Sequence, residues 1–121
     1  MTGTPIRTVT NERNTAIMFL NIENSGWNRE VQPQTTIDAG GGWVPWCPGP
    51  SDFIRRHIAV VDTSTERILF YIYQRRASDG DFVRASIVGF EDPGPTIAGD
   101  PVPGGDRNLR VDASGVTLNR T

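Results

Sequence analysis

No lysine occurs anywhere in the 121 residues; all 12 basic side chains are arginine. That removes a Schiff-base amine and the phosphate-binding lysine of a P-loop from consideration. Cys47 is the only cysteine and His57 the only histidine. No intrachain disulfide can form, and a structural zinc site built from four thiolates or several histidines is excluded. A lone cysteine is compatible with a reducing compartment. Positive charge is not in excess either: 12 basic against 14 acidic residues give a net charge of −2. A phosphate-backbone footprint needs a basic face, so nucleic acid is not an expected partner. No apolar stretch approaches the ~20 residues of a membrane-spanning helix. The segment Met1 to Thr8 lacks the apolar run of a signal peptide, so the expected location is the cytoplasm, or outside after release by a route without a cleaved signal.

What the chain does have is turn formers. Glycine and proline contribute 13 and 9 residues, 22 of 121, well above the roughly 12% of average usage. Short apolar runs sit between them. Ile6–Thr10 is β-branched and reads as a short edge strand. Thr15–Ile22 has the length and apolar continuity of a strand buried on both faces. Val31–Asp38 is a weaker strand, its first half demoted by Pro33. Gly40 to Gly42 reads as a flexible break, and Trp43–Pro50 is too proline-rich for a central strand or a helix. Ser51-Asp52 is placed to cap one helical turn through Arg56. Ile58–Val61 and Ile68–Gln74 are strands, the second with the aromatic and β-branched content of a central position. Asp79-Gly80 marks a hairpin into Phe82–Val88, which places Phe82, Arg84, Ser86 and Val88 on one face and Val83, Ala85 and Ile87 on the other. A long loop from Gly89 to Gly105 carries Ile97 as a short strand. Asn108–Asp112 and Val116–Asn119 close the chain as a last hairpin.

This spacing predicts an all-β fold, a single domain over residues 1–121. The expected architecture is an antiparallel two-sheet β-sandwich of about eight short strands with at most one short helical turn. Its expected core is Ile17, Phe19, Leu20, Ile58, Val60, Ile68, Phe70, Ile72, Val83, Ile87, Leu109, Val111 and Leu118.

Catalytic patterns are poor. Cys47 and His57 are the elements of a nucleophile–base dyad, but no cysteine-hydrolase motif flanks Cys47 and no Gly-x-Ser-x-Gly is present. Glu91 and Asp92 are carboxylates of the type glycoside hydrolysis needs, with nothing to fix their separation. Asp79, Asp81, Asp100 and Asp106 lie in glycine-rich loops that suit calcium, but without a full ligand pattern; hairpin-turn chemistry is the simpler reading. Arg55-Arg56, Arg75-Arg76, Tyr71 and Tyr73 form an arginine–aromatic set of the kind that stacks on single-stranded nucleic acid. The acidic net charge favours pairing with carboxylates instead. The expectation is a protein that is not an enzyme and uses no cofactor or metal.

The most unusual stretch is Gly40 to Pro50, with Trp43 and Trp46 three residues apart. In an extended segment the two side chains point in similar directions. An indole face covers the C–H face of a sugar or lies at a lipid headgroup while its N–H keeps a hydrogen bond. The opposite reading is a loop folded back as a core plug, since tryptophan is highly buried on average. Trp27, with Asn28 and Arg29, follows another turn and joins the same patch if both loops share an end. The leading expectation is thus a lectin-like or carbohydrate-binding module using Trp43, Trp46, Trp27, Asn28 and Arg29, with a glycan or lipid headgroup as partner. One alternative is a membrane-active, cytolysin-like sandwich inserting the same aromatics. Another is an assembly subunit whose tryptophan loop meets a second copy or a protein partner.

Overall fold

The computed structural model describes residues 3–121. Its elements are β1 (Pro5–Asn11), β2 (Ile17–Asn21), a 3-10 turn (Ser25–Trp27), β3 (Arg29–Val31), β4 (Thr35–Trp43), α1 (Pro50–Phe53), β5 (Ile58–Asp62), β6 (Arg67–Ala77), β7 (Gly80–Ser86), β8 (Ala98–Gly99), β9 (Arg107–Val111) and β10 (Val116–Arg120). They form two five-stranded sheets, ordered β4-β1-β9-β10-β8 and β3-β2-β5-β6-β7. The arrangement is sandwich-like, and one apolar cluster draws on both sheets.

Three expectations need correction. The described residues form ten strands rather than about eight: the three-residue β3 leaves no hydrophobic signature of its own, and the short strand expected at Ile97 is β8, displaced to Ala98–Gly99. A 3-10 turn accompanies the single α-helical turn. The first sheet is mixed, not antiparallel: β1 pairs with β9, and β10 with β8, in parallel. Tight turns make antiparallel neighbours, whereas parallel neighbours need a long connection. The chain between β1 and β9 builds the whole second sheet before it returns, so no turn constrains their direction. β1 consequently lies inside its sheet rather than at an edge.

Register explains which side chains reach the core. Ile6 and Val9 are both fully buried although they lie three positions apart, an offset that puts side chains on opposite faces of a regular strand. A register shift between Ile6 and Thr8 supplies the extra residue, leaving Arg7 exposed. The same device acts in β6. Val60 faces Phe70 but Val61 faces Ile68, so Leu69 is extra and the alternation reverses below it. Ile68 therefore turns outward, while Leu69 and Phe70 pack against the core. Ile87 is 71% exposed because β7 stops at Ser86, and Leu20 is only half-buried on the face opposite Phe19. The other nine expected core residues are buried.

Two segments read as loops have structural jobs. Gly40 to Gly42 lies within β4, not at a break. Gly40 and Gly41 adopt φ of 69° and 80°, conformations that tolerate glycine best. A Cβ on Gly42 would fall inside the Trp27 indole. The helical turn begins at Pro50, with Gly49 before it and no side-chain cap; proline at a first helical position needs none of the missing donors.

The chain from 87 to 106 covers the open edge of β7. Val83 N–H donates to the Pro101 carbonyl (2.8 Å) and Ala85 N–H to that of Pro95 (3.1 Å), and Ile97 N–H donates to Val83 (3.0 Å). An edge occupied in this way cannot pair with another chain. Arg84 and Arg107, both fully buried, pin this segment from inside. Arg84 donates to the carbonyls of Arg75, Gly80 and Gly94 and to both Asp79 oxygens. Arg107 donates to the carbonyls of Asp100, Val102 and Gly104.

Candidate functional site

The turn after β2, the end of β4 with residues 44–49, and the chain leaving α1 meet at one end of the molecule. Ile22 N–H donates to the His57 carbonyl (3.0 Å), Asn21 Nδ2 reaches the Trp43 carbonyl (3.5 Å), and Arg56 pairs with Glu23 (3.5 Å). All three tryptophans contribute to this end, but in different states.

Trp27 is a post rather than a platform. It is 4% exposed, its Nε1–H donates to the Ala39 carbonyl at 2.6 Å, and its ring meets Phe19 edge-on at 6.5 Å. The Arg29 guanidinium lies 5.9 Å from the same ring centroid. Arg29 also donates to the carbonyls of Gly26 and Asn28, and the Asn28 side-chain oxygen accepts from Asn21 N–H (2.8 Å). Asn28 and Arg29 shape the turn; neither lines the clefts described next.

Trp43 is 60% exposed, with its ring against Gly3, where a Cβ would overlap it. Trp46 is half-buried. Residues around it are tied to β6: Cys47 N–H donates to the Gln74 carbonyl and Gln74 N–H to that of Pro45, both at 2.8 Å. Trp43 is the shared wall of two neighbouring depressions. The first, about 370 Å³, is lined by Asn21, Glu23, Asn24, Trp27 and the backbone from Gly40 to Gly42. The second, about 410 Å³, is lined by Glu23, Trp43, Val44, Trp46 and Arg56. Both fall at the small end of ligand-site volumes. Glu23 and Arg56 were not legible as site residues in the sequence. Neither sits in a ligand-binding motif, and 33 positions separate them; the antiparallel register of β2 on β5 (Asn21 with Ile58), continued through the Ile22–His57 backbone bond, brings them together.

The remaining chemical groups are committed elsewhere. Cys47 Sγ donates to the Gly49 carbonyl (3.3 Å), and burial with the nearby Asp52 charge pushes its thiol up, away from a reactive thiolate. His57 Nδ1 donates to the Phe53 carbonyl at 2.6 Å, its ring stacks on Phe53 at 4.5 Å, and burial holds its pKa down. Phe53 also meets Tyr71, Tyr73 and Phe90, and Arg55, Arg56, Arg75 and Arg76 each pair with a carboxylate, the favoured reading of this arginine–aromatic set. Arg75 lies over Phe90 at 5.0 Å and pairs with Asp92 at 3.2 Å. Glu91 accepts from Ser86 Oγ (2.8 Å). Of the loop aspartates, Asp79 is held by Arg84, Asp100 by Arg120 and Asp106 by Arg7. Among the described residues no group of three or more His, Cys, Asp or Glu side chains is placed to hold a metal ion.

Comparison with protein-family models, curated proteins and solved structures finds no match for this chain.

Proposed function

We propose that the protein is a non-catalytic binding module of lectin type that takes a glycan in the first cleft, against Trp43. One observation carries this reading: an indole 60% exposed forms the wall of a cleft whose other sides are Asn21, Glu23, Asn24 and glycine backbone. Leaving a large aromatic in water forgoes roughly 1.5–3 kcal/mol of burial. A sugar ring has an apolar C–H face to cover the indole and hydroxyls to meet amides and a carboxylate at its edge. Of the five residues expected to bind, Trp43 is the contact residue and Trp46 its neighbour. Trp27, Asn28 and Arg29 act by shaping the cleft.

The test is a glycan array read with the wild type and with Trp43→Ala. Retention of at least one glycan class by the wild type, weakened tenfold or more by the substitution, is the expected result. An empty array, or hits indifferent to Trp43→Ala, rejects the reading. Mass measurement in solution is run alongside. If Trp43 is shielded from acrylamide in an oligomer, the same loop is an assembly contact instead.

A further inference from the structure

The second depression differs in chemistry from the first. Its walls are Trp43, Trp46 and Val44, and its charged groups are one carboxylate and one guanidinium. Those two groups, Glu23 and Arg56, pair at 3.5 Å with side chains 48% and 39% exposed. Ion pairs this open contribute little to stability, so a ligand can exchange with them at small cost. A ligand that carries a cation and an anion a few bonds apart fits such a pair in antiparallel fashion, each charge opposite its complement.

We propose that this depression binds a phosphocholine group, with the quaternary ammonium against Trp43, Trp46 and Glu23 and the phosphate on Arg56. The inference rests on the reading that the Trp43–Trp46 loop is a ligand-binding loop. Aromatic faces favour quaternary ammonium ions electrostatically, whereas a bare ammonium is compact and strongly hydrated. The arginine fork matches phosphate oxygens bidentately. The flanking residues suit a group still attached to a lipid. Ile22 precedes Glu23, and Ile54, two residues before Arg56, is 74% exposed. Exposed apolar side chains this close in sequence to the ion pair are suited to the headgroup–acyl boundary.

The test titrates tryptophan fluorescence with phosphocholine, choline and inorganic phosphate. It uses the wild type, Arg56→Gln and Glu23→Gln, each first shown to keep the wild-type circular dichroism. The wild type is expected to respond saturably to phosphocholine and more weakly to choline or phosphate alone. Arg56→Gln should weaken phosphocholine roughly tenfold, toward the choline value, and Glu23→Gln should weaken both cationic ligands. Sedimentation with phosphatidylcholine but not phosphatidylglycerol vesicles identifies the lipid as the source. A response to soluble phosphocholine without vesicle binding identifies a free or sugar-borne group. Either result supports the site. No saturable response to phosphocholine, or a response unchanged in both variants, overturns it. Glycan binding by a wild type that gives no saturable response to phosphocholine leaves the lectin reading standing and removes only this one.

Discussion

Arg84 shows why an all-arginine composition has structural consequences. Its side chain is fully buried and spends its donors on three backbone carbonyls and a carboxylate. A planar fork of five donors does this, and an ammonium with three does not. Arg84→Met is therefore expected to cost about 1–3 kcal/mol or more, since it leaves the carbonyls of Arg75, Gly80 and Gly94 without their donor; Arg84→Lys should recover only part. Urea unfolding measures both, and a loss under 1 kcal/mol for Arg84→Met would contradict the assigned role. The pH response has an upper limb at His57 and a lower limb that Asp62 shares with Asp79, Asp100 and Asp112, whose pKa values are also lowered by hydrogen bonds. Burial lowers the His57 pKa below its ordinary 6.5, so the folded state binds fewer protons than the unfolded one, and stability falls as pH drops through about 6.5. Asp62, held by the Ser64 and Thr15 hydroxyls, is lowered from 3.8 to about 2. Its contribution is complete above the unfolded pKa and is lost as pH falls from about 4 toward 2. The melting temperature should thus decline in two separate steps. His57→Phe should abolish the upper one, and a flat profile from pH 7 to 5 in the wild type would refute that assignment.

At the scale of elements, the end of β4 is defined by what packs beneath it. Gly42 has no room for a side chain because the Trp27 indole occupies it. Gly42→Ala must displace the ring, break its 2.6 Å bond to Ala39 and disturb the first cleft. The expected loss is about 1–3 kcal/mol or more. Acrylamide quenching reads the same substitution: Trp27 should become accessible. In the wild type the readily quenched fraction should belong to Trp43 and vanish in Trp43→Phe. If Trp27→Phe removed that fraction instead, the division between post and platform would be wrong. Elements were legible where a local signal suffices: strand runs such as Ile58–Val61, the β6–β7 hairpin and the closing β9–β10 hairpin. The shift at Leu69 was not, because a bulge is settled by the partner strand and leaves no mark of its own on the apolar pattern.

At the scale of the molecule, both sheets share one apolar cluster, and β1 is locked between β4 and β9. Unfolding is expected to be one transition, with tryptophan fluorescence and far-ultraviolet dichroism coinciding. Resolved transitions would mean that the sheets are separable. The β1–β9 pair joins positions about a hundred residues apart (Val9 with Leu109), so folding should be slow, in the range of milliseconds to seconds.

Composition and apolar spacing alone determined that the chain is mostly β, that strands are short and that two sheets bury alternating residues. These depend on local geometry, which neighbouring residues specify. Only the tertiary structure decided the parallel pairing of β1 with β9, the burial of Arg84 and Arg107, the separate fates of the three tryptophans, and the meeting of Glu23 with Arg56. Each depends on contacts between residues distant in the chain. The tryptophan-bearing stretch was legible as unusual, but exposure belongs to the packed molecule. Trp27 found a carbonyl and a glycine to close over it, whereas Trp43 found Gly3 on one side and solvent on the other.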